Sequence, residues 1–204
     1  MIGKIKYGFN LGGRFIYFRS GRKDYVTYNH FDFYPEYLGK NLIAEFKNLS
    51  EDDLTQLNDR ITKIQLVDEN KAPTSKQIEH TRSWHNLSVS DQSTDDWYCL
   101  LRNAQGTLLP YMKGELTIML NSKSFLSDSL FCEYAYIFNL SKNVLEFYKG
   151  YNKNPKAPGR YAHLRNGRDT MGYYGAALVA EFPFAKLRDL PADDIVKEMN
   201  RDDN

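Results

Sequence analysis

The stretch FCEYAYIFNLSKNVLEFYKGY, residues 131–151, decides the fold. Its two halves, FCEYAYIFNL and VLEFYKGY, are rich in aromatic and apolar residues arranged at period two. The break between them, Ser141-Lys142-Asn143, is short and polar, so the pair predicts a β-hairpin. Beyond it, residues 152–172 form a loop rich in Gly, Pro and Arg, and the apolar run over 176–182 predicts a further strand. At the amino end KIKYGFNL, RFIYFRS and DYVTYNHF read as strands, separated by Gly12-Gly13 and by Gly21 with its charged neighbours. Tyr34-Pro35 closes that group, because a residue before proline is held extended and proline offers no ladder donor.

Helical spacing fills the middle of the chain. Leu38, Leu42, Ile43 and Phe46 share one helical face, which stops near Asn48. Ser50 suits a cap, with Glu51, Asp52 and Asp53 in the first turn, where the helix dipole favours carboxylates. Leu54, Leu57, Ile61 and Ile64 continue that helix as an apolar stripe. Thr74 to Gln77 matches a capping box and predicts a shorter helix to about Trp84. A fourth helix is expected from Ser93 or Thr94, burying Trp97, Leu100, Leu101 and Ala104 and ending at Gly106. Strands, helices, then strands imply an α+β domain over residues 1–190, with a mostly antiparallel sheet from both ends of the chain covered by helices from its middle. Residues 191–204 form an acidic tail, expected as a short helix or a frayed end.

The bulk numbers narrow the class. At 204 residues the chain can bury one sizeable core. A net charge of +1 gives no global field towards membrane or long nucleic acid. Locally, residues 153–169 carry Lys153, Lys156, Arg160, Arg165 and Arg168 against Asp169 alone. Cys99 and Cys132 are too few for a disulfide framework and lack adjacent histidines, so both are expected reduced and structural. No apolar run reaches the roughly 18 residues of a membrane span, and a cytoplasmic location is expected. The four histidines show no zinc spacing, His80 and His85 being five apart, so neither a metal nor another cofactor is expected.

One segment stands out chemically: YNHFDFYPEYLG, Tyr28 to Gly39. On a strand, Tyr28, His30 and Asp32 share one face while Asn29, Phe31 and Phe33 share the other. His30 beside Asp32 could act as an oriented general base. The same residues could equally close a strand end, with Asp32 capping the turn. The segment resembles a motif of a family of small bacterial, phage and fungal proteins, which read Tyr-x-Gln-Trp-Asp-x-Tyr-Pro-x-Gly-x-Gly. Tyr28, Asp32, Tyr34, Pro35 and Gly39 match, while His30 and Phe31 depart from it. The hairpin is similar to that family's Glu-Trp-x-Tyr-x-Ile-Asp-Leu segment at Glu133, Tyr134, Tyr136 and Leu140, and LVAEFPFAKLRDLP is similar as well. The resemblance covers both ends of the chain and not the helical middle. It implies no established activity. Its strand layout is reminiscent of amino-terminal-nucleophile hydrolases, yet Met1-Ile2-Gly3-Lys4 offers no Ser, Thr or Cys for methionine removal to expose.

Three functions follow as expectations. In the first, a small anionic ligand, such as a nucleotide or nucleotide signal, is bound or sequestered in the manner of a phage protein. Arg160, Arg165 and Arg168 hold its phosphate, Tyr151, Tyr161, Tyr173 and Tyr174 around the loop stack on its base, and Tyr28 and Tyr34 line the facing side. The ligand would sit between the Tyr28–Tyr34 face and the 153–168 loop. In the second, a hydrolase uses His30, Asp32 and Glu133. In the third, exposed tyrosines form a protein–protein inhibitor surface. A homo-oligomer stays open under each.

Overall fold

The computed structural model describes residues 13–28, 34–89, 94–165 and 171–201; the expected strand KIKYGFNL lies outside them. The first hairpin joins β1 (Gly13–Ser20) to β2 (Lys23–Tyr28), and the turn between them places Gly21 at φ +58°, where a glycine costs nothing. Pro35–Gly39 makes a single wide turn of π type that runs into α1 (Lys40–Lys47). The second helix, α2 (Glu51–Thr62), opens on a reciprocal capping box: Ser50 Oγ accepts from the Asp53 N–H while the Asp53 carboxylate accepts from the Ser50 N–H.

A short strand β3 (Gln65–Val67) precedes α3 (Ser75–Thr81), which carries the expected capping box from Thr74 and Gln77 and passes through one tight turn to Trp84. The next helix, α4 (Trp97–Leu100), begins later than the sequence predicts. The Asp96 carboxylate accepts from the Tyr98 N–H at 2.8 Å, so Asp96 is the cap, where the sequence suggests Ser93 or Thr94. Three elements of this middle stretch were not foreseen: β3, α5 (Leu109–Met112), and β4 (Ile118–Leu120), which pairs in parallel with β3.

The expected hairpin is present as β5 (Cys132–Asn139) and β6 (Val144–Lys149), with Asn143 at φ +54° in its turn. The last strand, β7 (Ala177–Pro183), is followed by α6 (Phe184–Asp189) and α7 (Ala192–Met199). The main sheet runs β2-β1-β5-β6-β7, antiparallel except where β1 lies parallel to β5. The fold is α+β, as the sequence predicts, with sheet strands from both ends of the chain. The acidic tail is helical through Met199 and buries Ile195, Val196 and Met199 against the helical side. Each fully buried side chain of that size contributes roughly 1.5–3 kcal/mol relative to exposure.

Alternation along the strands splits the interior into two layers. Phe18, Tyr25, Tyr136, Phe138, Leu145, Phe147 and Phe182 face the helices and pack with Leu42, Phe46, Leu57, Ile61 and Leu187. The opposite face carries Val26, Ala135, Ile137 and Tyr148, and is covered by irregular chain that brings in Leu126, Tyr161 and Ala176. Among the described residues no helix is long and apolar enough to cross a membrane.

Candidate functional site

The irregular cover is tied down at one residue, Asn152, which follows the end of β6. Its backbone N–H donates to Ser129 Oγ at 2.8 Å, and its carbonyl accepts from the Tyr174 N–H at 2.8 Å. Its side-chain amide donates to the carbonyls of Gly175 at 2.9 Å and Ala162 at 3.3 Å, and its Oδ1 accepts from the Asn154 N–H at 2.8 Å. One buried residue, through backbone and side chain together, thereby joins the segments at Ser129, Ala162 and Tyr174–Gly175. Gly150 makes the junction close. A Cβ there would sit 2.0 Å from the Cys132 carbonyl oxygen, so no larger residue fits without moving backbone.

Three tyrosines and two cations stand on this junction. Tyr151 is held at φ +52°, a region that a bulky residue rarely adopts, and its side chain is 47% exposed. The Tyr151 and Tyr173 rings meet edge to face at 6.1 Å, and Lys153 Nζ lies 5.0 Å from the Tyr173 ring centre. Beside them the Arg165 guanidinium lies 5.5 Å from the Tyr174 ring centre. Lys153 and Arg165 are exposed, while Tyr173 and Tyr174 are half-buried. Each of two cations is thus held against a tyrosine ring, Lys153 on Tyr173 and Arg165 on Tyr174.

Beneath it lies a polar network that faces inward. Glu146, fully buried on β6, receives Arg160 on both oxygens, Nη1 to Oε1 at 2.9 Å and Nη2 to Oε2. The same carboxylate accepts from Asn139 Nδ2 at 2.7 Å and from the Tyr148 hydroxyl at 3.3 Å. Arg160 Nε also donates to the Tyr161 hydroxyl at 3.1 Å. Burial pushes the Tyr161 phenol up to about 12, with the neighbouring guanidinium pulling the other way, and burial raises Tyr148 further. Neither is a proton shuttle near neutrality. Asp24, buried on the same side of the sheet, is met by Arg19 at 2.5 Å and by Lys123 at 3.9 Å.

The predicted site residues therefore divide. Tyr173 and Arg165 lie on the exposed surface, joined by Tyr151, Lys153 and Tyr174. Arg160 and Tyr161 come together but point into the network, so Arg160 is engaged by Glu146 and is not an open phosphate arm. Tyr34 lies on the other side of the sheet: its ring meets Tyr134 at 5.8 Å, and Tyr134 stacks on Phe147 of the helical layer. Tyr34 and Arg160 thus do not face one pocket. Glu133 is half-buried in β5, where its carbonyl accepts from the Gly150 N–H at 2.7 Å. Tyr28 ends β2, and its side chain, with His30, Asp32 and Arg168, lies outside the described residues.

The described part of the opening motif is a structural corner. Leu38 is buried, and Gly39 passes so close to Tyr136 that an added Cβ would meet the phenol oxygen at 2.9 Å. Both cysteines are buried, and burial raises the Cys132 thiol far above its usual range, consistent with a structural role. Two clefts, of about 280 and 360 Å³, open elsewhere and contain none of the predicted site residues. Sequence reasoning missed Glu146, Asn139 and Asn152. A lone carboxylate inside the apolar run VLEFY was the available signal for Glu146; Asn152 offered none.

Compared with family models, with curated proteins and with solved structures, the chain finds no match.

Proposed function

We propose that the protein binds a small anionic ligand with an aromatic part, a nucleotide or nucleotide signal, on the Tyr151/Tyr173/Tyr174 surface, and holds it without turning it over. The supporting observation is the pair of cations, Lys153 against the Tyr173 ring and Arg165 against the Tyr174 ring, on chain that Asn152 hydrogen-bonds to Ala162 and Gly175. A base stacks on tyrosine without sequence or edge recognition, and each such stack is worth roughly 1–3 kcal/mol. Arginine and lysine supply charge-assisted donors to phosphate. The left-handed backbone of Tyr151 costs of order 1–3 kcal/mol and projects a ring into solvent, a strain that ligand contact would justify.

Calorimetry with ATP, adenosine and tripolyphosphate tests this reading. ATP should bind more tightly than either half alone. Tyr173→Ala should weaken it by about tenfold or more. Lys153→Ala with Arg165→Ala should abolish tripolyphosphate binding and make the ATP response much less salt-dependent. Binding unchanged in both variants would sink the proposal. Release of phosphate in the calorimeter cell would instead favour the hydrolase.

A further inference from the structure

We propose that the cleft between α1, α2, the β5–β6 turn and α6 is a second binding site, for a small carboxylate bearing an apolar tail. The site lies on the helical side of the sheet and is independent of the tyrosine surface. Its floor is Phe46 and Phe184, whose ring centres are 4.6 Å apart, and its walls are Leu54, Leu57 and Leu140. At about 280 Å³ it has the volume of roughly nine liquid waters, small for a drug-sized ligand and adequate for a short chain or single ring. Water in such a cleft finds apolar walls, so a hydrocarbon tail displaces it favourably.

The rim sets the charge of the ligand. Asn58, Asn143 and Arg188 line the mouth, and Arg188 is its one cation among the lining residues. Arg188 Nη1 already lies 2.7 Å from Glu51 Oε1, so the guanidinium is posed to receive a carboxylate. That partner is dispensable: the Glu51 side chain is 84% exposed, and an exposed ion pair of this kind is weak. A ligand carboxylate whose tail fills the cleft can take its place, because the tail adds burial that Glu51 cannot. The guanidinium has five donors in a planar fork, enough to hold an incoming carboxylate in bidentate fashion. The mouth is fixed by the turn at Asn143, whose carbonyl accepts from the Phe184 N–H at 2.8 Å.

Methyl NMR of the full chain titrated with octanoate tests this, with octanamide as the uncharged control. Octanoate should shift the methyls of Leu54, Leu57 and Leu140 in a saturable way, and octanamide should bind about tenfold more weakly. Arg188→Gln should reduce octanoate affinity to that of octanamide. Glu51→Gln, a solvent-exposed change that leaves the core untouched, should tighten octanoate by about two- to fivefold by removing the competitor. The proposal fails if millimolar octanoate leaves these methyls unmoved, if both probes bind alike, or if Glu51→Gln weakens binding. Nucleotide should leave these methyls in place, so the outcome here is separate from that at the tyrosine surface.

Discussion

A carboxylate with no exposed surface, such as Glu146, is tolerated in a sheet only when its charge and lone pairs are satisfied. Arg160, Asn139 and Tyr148 do this together, and the guanidinium doubles as a clamp that presses the 158–161 chain onto the strands. Arg160→Ala removes one partner of a buried pair, a change that typically costs about 3–5 kcal/mol, and the lower end applies because a quarter of the Arg160 side chain stays in water. Replacing both, Glu146→Leu with Arg160→Met, should recover part of that loss, since matched apolar pairs often equal buried ion pairs while the Asn139 amide and the Tyr148 hydroxyl lose their acceptor. Urea unfolding of the two variants separates the cases. A double variant as unstable as the single one would show that the network does more than satisfy Glu146. The same logic explains why Arg160 reads as a ligand arm in the sequence. Its partner lies fourteen residues away on a strand, and no local pattern announces that an arginine in a basic loop is turned inward.

At the scale of elements, what is legible is what is local. The Ser50 cap, the Thr74 capping box, the α2 stripe and the β5–β6 hairpin each depend on residues a few positions apart, and all four are present. The parallel pairing of β1 with β5 joins segments more than a hundred residues apart, and β3 and β4 are three residues each, too short to show a period. The start of α4 was missed because Ser93 and Thr94 are also good capping residues and precede Asp96 in the sequence. The opening motif reads in the sequence equally as a site or as a strand end, and what separates the two is not local: the close approach of Gly39 to Tyr136 exists only once β5 is in place. Gly150→Ala belongs to this scale. Its Cβ would meet the carbonyl oxygens of Cys132 at 2.0 Å and Ser129 at 2.5 Å, both backbone. A loss of about 1–3 kcal/mol is expected, with the loop segments around Asn152 losing amide-exchange protection before the β5–β6 hairpin does. Uniform loss of protection would contradict the view of Asn152 as a separate junction.

For the whole molecule, two carboxyls on the helical side bend the pH dependence in opposite directions. Burial holds the Glu45 carboxyl above its ordinary value near 4.5, although the Thr107 hydroxyl and the backbone N–H groups of Leu108 and Leu109 pull it back. Between the ordinary and the raised value the folded chain binds more proton than the unfolded one, so stability falls as pH rises through that window. Hydrogen bonds from Arg60 and Ser50 hold Asp53 down to about 2 from 3.8. Its contribution is complete above pH 3.8 and is lost as pH falls towards 2. Urea midpoints followed against pH should therefore lose the upper slope in Glu45→Gln and the acid-side loss in Asp53→Asn. Slopes unchanged in both variants would refute these assignments.

The proposed nucleotide site lies on the sheet face opposite the helices, where irregular chain held at Asn152 carries the tyrosines and cations. The direct measurement is tyrosine-ring NMR of the full chain during titration with ATP. The account predicts saturable shifts of the Tyr151, Tyr173 and Tyr174 rings, with buried Tyr136 and Tyr148 unmoved, and loss of the response in Lys153→Ala with Arg165→Ala. Binding that moves other rings while leaving these three in place, or no saturable shift at all, would contradict it.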